Sequence, residues 1–154
     1  MLFGRGYRIK LKVYNRVARL FGEPTWPYAS GAVQARTPSE TLNLQPGEWV
    51  QVKSHEEILA TLNGQKNRGM GFSAEMVRYC GHVYRVRSRV EKTIDEKTGH
   101  ILKLKNDCII LDDVVCRSEC STKRLFCPRS IFPYWREIWL RRFTGQPPAP
   151  EAKR

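Results

Sequence analysis

The chain has no apolar run near the roughly 18 residues that a helix needs to cross a bilayer. Its N-terminus lacks the continuous apolar stretch of a secretory signal. A cytoplasmic protein is therefore expected. There is no Gly-x-Gly-x-x-Gly fingerprint, no His-Glu-x-x-His and no nucleophile elbow, so the common nucleotide, metalloprotease and hydrolase chemistries lose their usual markers. Carboxylates are not paired in a defined context, and Asp112-Asp113 reads as a turn. The five cysteines are an odd number, which excludes a complete disulfide framework within one chain and suits a reducing compartment. Acid is missing altogether from residues 1–22, where Arg5, Arg8, Lys10, Lys12, Arg16 and Arg19 stand alone. That imbalance also fits an organelle transit segment.

What the chain does carry is positive charge and enough apolar residues for one core. Its 154 residues are 41% hydrophobic, and 27 Lys and Arg against 15 Asp and Glu leave a formal charge of +12. A field of that sign favours polyanionic partners such as nucleic acid, anionic lipid or phosphorylated small molecules, and charge alone does not choose among them.

Four segments follow from the pattern along the chain. In residues 1–22, Ile9, Val13, Val17, Leu20 and Phe21 recur at spacings of three and four, which predicts a basic amphipathic helix. Such a helix docks on its own domain, lies on a membrane or binds RNA. Residues 23–47 form a Pro/Gly-rich arm in which Pro24, Pro27, Pro38 and Pro46 exclude helix and central strand, while Trp26 and Tyr28 favour contact with the domain. Residues 48–143 carry the main domain, and residues 144–154, with Pro147, Pro148 and Pro150, are expected to be a disordered tail.

Within the main domain, Trp49 and Gln51 alternate with Val50 and Val52, the signature of a half-buried strand. Ser54 and Glu57 form a capping box for a helix that buries Ile58, Leu59 and Leu62. The loop from Gly64 to Gly71 is glycine-rich but lacks the Gly-Lys-Ser/Thr ending of a phosphate loop. A second short helix is predicted from Ser73 to Tyr79. His82 to Ile94 and Ile101 to Leu111 then read as a hairpin closed around Asp95-Glu96-Lys97-Thr98-Gly99. A symmetric turn sets Val90 opposite Leu104, Glu91 opposite Lys103 and Arg89 opposite Lys105. Arg85, Arg87, Arg89, Lys103 and Lys105 would then share a cationic face suited to phosphate oxygens. Further short strands at Val114–Cys116 and near Ile138–Phe143 complete the set for a small antiparallel SH3-like barrel. The fold class is thus mainly β with short helices, the barrel being preceded by the N-terminal amphipathic helix.

Cys116, Cys120 and Cys127 gather three thiols within a short stretch. Zinc is the natural ion for such a set, being borderline-soft and tetrahedral. Cys80 or His82 could supply a fourth ligand, whereas Cys108 sits in an apolar strand and reads as a packed small hydrophobe. Buried core filler and a catalytic thiol are the competing readings, the second needing His55, His82 or His100 nearby in space. From Pro133 to Phe143 the apolar residues fit a helix and a last barrel strand equally well. Trp135 and Trp139 there are better suited to the core than to stacking on bases or sugars.

The runs Leu44-Gln45-Pro46-Gly47-Glu48-Trp49-Val50-Gln51-Val52-Lys53-Ser54, Glu57-Ile58-Leu59, Tyr79-Cys80-Gly81 and Tyr134-Trp135-Arg136-Glu137-Ile138-Trp139-Leu140 together resemble an uncharacterised bacterial family of small proteins with SH3-like (KOW-type) barrels, encoded near glycosyltransferase and other biosynthetic genes. The likeness covers residues 8–143 and brings a fold but no activity. It implies that Cys80, Cys116, Cys120 and Cys127 form one set. Some members of the family carry a Cys-His-rich insert where this chain reads Arg117 to Lys123, so the ligand set differs among them. The expected function is a non-catalytic binding module with a zinc-stapled structural site and a basic face for nucleic acid or an acidic protein. The alternatives are a small accessory enzyme or factor of a biosynthetic pathway, with the Cys cluster or His82 and Asp112 near its substrate pocket, and a structural subunit of a larger assembly.

Overall fold

Residues 3–21, 31–34, 36–95, 98–116 and 131–146 are described by the computed structural model, the side chains of residues 3–11, 74, 105 and 107 excepted. The protein is mainly β, and the described residues form two antiparallel sheets and three α-helices: α1 (Phe3–Leu20), α2 (His55–Leu59) and α3 (Ala74–Val77). The strands are β1 (Gly31–Ala32), β2 (Trp49–Val52), β3 (Asn63–Gly64), β4 (Lys66–Asn67), β5 (Met70–Gly71), β6 (Val83–Ile94), β7 (Ile101–Leu111), β8 (Trp135–Arg136) and β9 (Leu140–Arg142). One sheet runs in the order β8-β7-β6-β2-β9 and the other β1-β3-β4-β5. Among the described residues neither sheet closes on itself, so the architecture is two open sheets.

Local chemistry explains the elements near the start of the main domain. In β2 the two valines are buried and Trp49 and Gln51 half-buried, as alternation requires. α2 begins at Ser54, whose side chain accepts from the Glu57 amide while the Glu57 carboxylate accepts from the Ser54 amide, a complete capping box. The glycine-rich stretch folds as the tight hairpin β4–β5. Its central residues Arg68 (φ 45) and Gly69 (φ 85) both occupy the left-handed region, as a type I′ turn demands. Arg68 is held there because its amide donates to Thr37 Oγ1 and its carbonyl accepts from Arg136.

The closing run uses neither single period. β8 is followed by a 3-10 turn over Glu137–Trp139 and then by β9, and every side chain from Trp135 to Leu140 is buried. Helical and alternating templates both failed here because no face of this segment meets solvent. The stretch 114–116 is not a strand; Cys116 donates its amide to the Ile131 carbonyl at 2.8 Å.

Trp135 and Trp139 are fully buried and meet Phe72, just after β5, edge to face at 6.3 and 5.5 Å. These rings join the small sheet to the large one. The Trp139 indole also donates to Thr61 Oγ1. Part of the arm reaches this core: Leu44 is fully buried, and β1 pairs with β3 and lies so close to the end of α2 that a Cβ on Gly31 would collide with the Leu59 carbonyl.

The β6–β7 hairpin forms, but with a different register. At its tip Lys92 opposes Lys103, Thr93 opposes Leu102 and Ile94 opposes Ile101. The turn closes through the Asp95 amide to the His100 carbonyl, one residue off the symmetric expectation. Nearer the body, Arg89 opposes Ile109 and Val90 opposes Cys108, not Lys105 and Leu104. Register breaks fall between Val86 and Ser88 and between Val90 and Lys92.

Candidate functional site

The first register break decides what the arginine row can do. Val86 pairs with Leu111 and Ser88 with Ile110, so Arg87 is an extra residue on β6, a β-bulge. One extra residue reverses the alternation beyond it. Arg85 and Arg87 stay exposed, whereas Arg89 turns inward beside the buried Ile109. The expectation that Arg89 shares the cationic face is corrected accordingly. Its guanidinium lies 2.7 Å from Glu137 Oε1, with the two side chains only 17% and 4% exposed.

Glu137 is the centre of this buried cluster. Its Oε1 also accepts from the Leu44 amide at 2.9 Å, and its Oε2 accepts from the Leu42 and Asn43 amides at 2.7 and 3.1 Å. Burial alone would raise its pKa. The amides of Leu44 and Leu42, Arg89 and the Asn43 amide outweigh that and hold the carboxyl below its ordinary value. The cluster thus anchors the arm to the closing run and is structural.

What remains cationic is the outer hairpin. Arg85 donates to the Gly47 carbonyl; Arg87, 56% exposed, lies 3.6 Å from Asp112 and stacks its guanidinium 4.7 Å from the Phe132 ring centroid. Lys103 is exposed and faces Lys92, which the sequence did not single out. The side chain of Lys105 lies outside the described residues. β6 pairs with β2 only through Val83 to Arg85, and β7 with β8 only at Cys108 and Ile109. Beyond those points, among the described residues, the hairpin is a two-stranded ribbon extending past the sheet. Ile94, Ile101 and Leu102 at its tip are 64%, 70% and 48% exposed.

The cysteine set divides differently. Cys120 and Cys127 lie outside the described residues. Cys80 and Cys116 lie on neighbouring segments, linked where Tyr79 Oη donates to the Val115 carbonyl at 2.7 Å and Cys116 Sγ donates to Glu75 Oε2 at 2.7 Å. Burial pushes the Cys80 thiol up to about 11, so on its own it is a neutral thiol near pH 7. Glu75 escaped sequence reading because its acid in the first turn of α3 has an ordinary helix-dipole role; only the tertiary fold brings it to Cys116. Cys108 is fully buried, as expected of a packed thiol, and Arg136 reaches its sulfur at 3.6 Å. Among the described residues no three His, Cys, Asp or Glu side chains gather as a metal site.

Of the histidines, His55 stacks on Phe72, and burial lowers its pKa against the opposing pull of Glu56. His82 and His100 are exposed. Among the described residues no helix is long and apolar enough to cross a membrane. No protein-family model, no curated protein and no solved structure matches the chain.

Proposed function

We propose that this protein is a binding module that grips duplex nucleic acid with its β6–β7 ribbon, on an opened sheet of the SH3-like (KOW-type) class. The Lys92–Lys103 pair is the observation that carries this reading. Like charges directly opposite one another on a sheet destabilise it by a few tenths of a kcal/mol to about 1 kcal/mol. An anion lying between the two ammonium groups removes that cost. A two-stranded ribbon also has the width to enter the major groove of a duplex. Exposed Ile94, Ile101 and Leu102 at its tip offer apolar contact to the thymine methyl groups displayed in that groove. Arg87 and Arg85, exposed at the base of the ribbon, extend the contact to further phosphates. The net charge of +12 supports a long-range attraction of the same sign.

We also propose zinc as a structural staple on Cys80, Cys116, Cys120 and Cys127. The adjacency of the Cys80 and Cys116 segments supports this, as does the hydrogen bond that the Cys116 amide donates to the Ile131 carbonyl, the residues that flank the segment bearing the other two thiols. Bound there, zinc would supply cross-linking of that segment to the sheet and no chemistry of its own.

The ribbon is tested with a fluorescent DNA duplex titrated by the full chain. Lys92→Glu/Lys103→Glu, positions exposed enough to leave folding intact, is expected to abolish binding. If the double variant binds the duplex as the parent does, or if the parent binds an acidic protein and no duplex, the reading is wrong.

A further inference from the structure

We infer that α1 is a membrane-surface helix that lays its apolar stripe on an anionic lipid bilayer. Val13, Tyr14, Val17, Leu20 and Phe21 are 58%, 54%, 46%, 79% and 77% exposed, an apolar stripe left uncovered. At about 100° per residue, Ile9, Leu20, Val13, Val17, Phe21 and Tyr14 occupy positions within one arc of about 140°. Arg8, Arg19, Lys12, Arg5 and Arg16 occupy positions within a separate arc of about 80°. Lys10 is the one cation whose position falls on the apolar side, and the helix holds no acid. Ala18, 4% exposed, sits about 140° round from Val13, so the covered edge of the helix differs from the exposed stripe.

Charge decides the occupant. An all-cationic polar sector flanking a broad apolar face matches an anionic interface, where each Lys or Arg near the surface adds attraction and the apolar residues enter the acyl boundary. A nucleic acid would use the cations and leave Val13, Val17, Leu20 and Phe21 in water. An 18-residue helix carrying this many charges lies on the bilayer and does not span it. This surface is separate from the ribbon and does not depend on it.

The experiment is co-sedimentation of the full chain with vesicles of phosphatidylcholine alone and of phosphatidylcholine mixed equally with phosphatidylglycerol. The parent is expected to partition onto the anionic vesicles and weakly or not at all onto the neutral ones. Val17→Asp/Leu20→Asp is expected to lower partition about a hundredfold, each buried side chain being worth about tenfold or more. Arg16→Glu/Arg19→Glu is expected to remove the preference for anionic vesicles. Lys92→Glu/Lys103→Glu, the ribbon variant, is expected to partition like the parent, which separates failure of this inference from failure of the nucleic-acid reading. Equal partition of the parent onto both vesicles, or undiminished partition of the Val17/Leu20 variant, overturns the inference. So does self-association in sedimentation velocity that those substitutions abolish, since a second copy then covers the stripe. Loss of duplex binding with vesicle binding intact in the helix variants also overturns it, in favour of a nucleic-acid role for α1.

Discussion

Replacing Glu137 by glutamine removes one charge and leaves the shape. Each carboxylate oxygen serves two donors: Oε1 serves the Leu44 amide and Arg89, and Oε2 serves the Leu42 and Asn43 amides. Whichever way the new amide is turned, its NH2 group faces two N–H donors. Two hydrogen bonds become repulsive contacts and Arg89 loses its counter-ion. Breaking a buried charged pair from one side costs about 3–5 kcal/mol. The Arg89→Leu variant should cost less, about 1–3 kcal/mol, because three backbone amides still hold the carboxylate. In thermal unfolding at neutral pH, Glu137→Gln is expected to lower Tm by about 10 °C, at the 2–4 °C per kcal/mol typical of this size. The pH dependence has a definite sign. The folded carboxyl titrates below its ordinary 4.5, so its stabilisation is fully present above that value and disappears as pH falls through the folded pKa. The stability gap between parent and Glu137→Gln should therefore be constant at neutral pH and narrow only below about 4.5. A loss under about 1 kcal/mol, an Arg89→Leu variant at least as damaged as Glu137→Gln, or a gap that widens in acid would refute the reasoning.

Three further outcomes are expected. Gly31→Ala drives a methyl against the Leu59 and Leu62 carbonyls, and should cost about 1–3 kcal/mol in urea unfolding by prising β1 from the segment that joins α2 to β3. Trp139→Ala empties a fully buried site and loses the bond to Thr61, with an expected loss of about 3–5 kcal/mol by calorimetry. Elemental analysis of purified protein is expected to find about one zinc per chain, lost with Cys116→Ser together with part of the thermal stability; no bound zinc, with melting unchanged by the substitution, would end the staple.

The elements set by local chemistry were legible in the sequence. The capping box at Ser54 and Glu57, the alternation in β2 and the existence of the β6–β7 hairpin each need only neighbours along the chain. The arginine row was not, because alternation assumes an unbroken ladder. The bulge at Arg87 breaks that ladder and turns Arg89 from a surface cation into the partner of Glu137. Glu137 and Arg136 were equally hidden: charges inside a run that is wholly buried make sense only once Leu42 to Leu44, Arg68 and Asn106 are in place to receive them. The same limit applies to the cysteines. Their spacing suggested a common site, yet the contact between Glu75 and Cys116 spans 41 positions and leaves no periodic trace.

The ribbon's role is tested most directly by the salt dependence of duplex binding. Each phosphate neutralised contributes about 0.9 to the slope of log K against log salt. Lys92→Ala/Lys103→Ala should therefore flatten the slope by close to 2 relative to the parent. A parent slope near zero, or a double variant whose slope equals the parent's, would contradict the account.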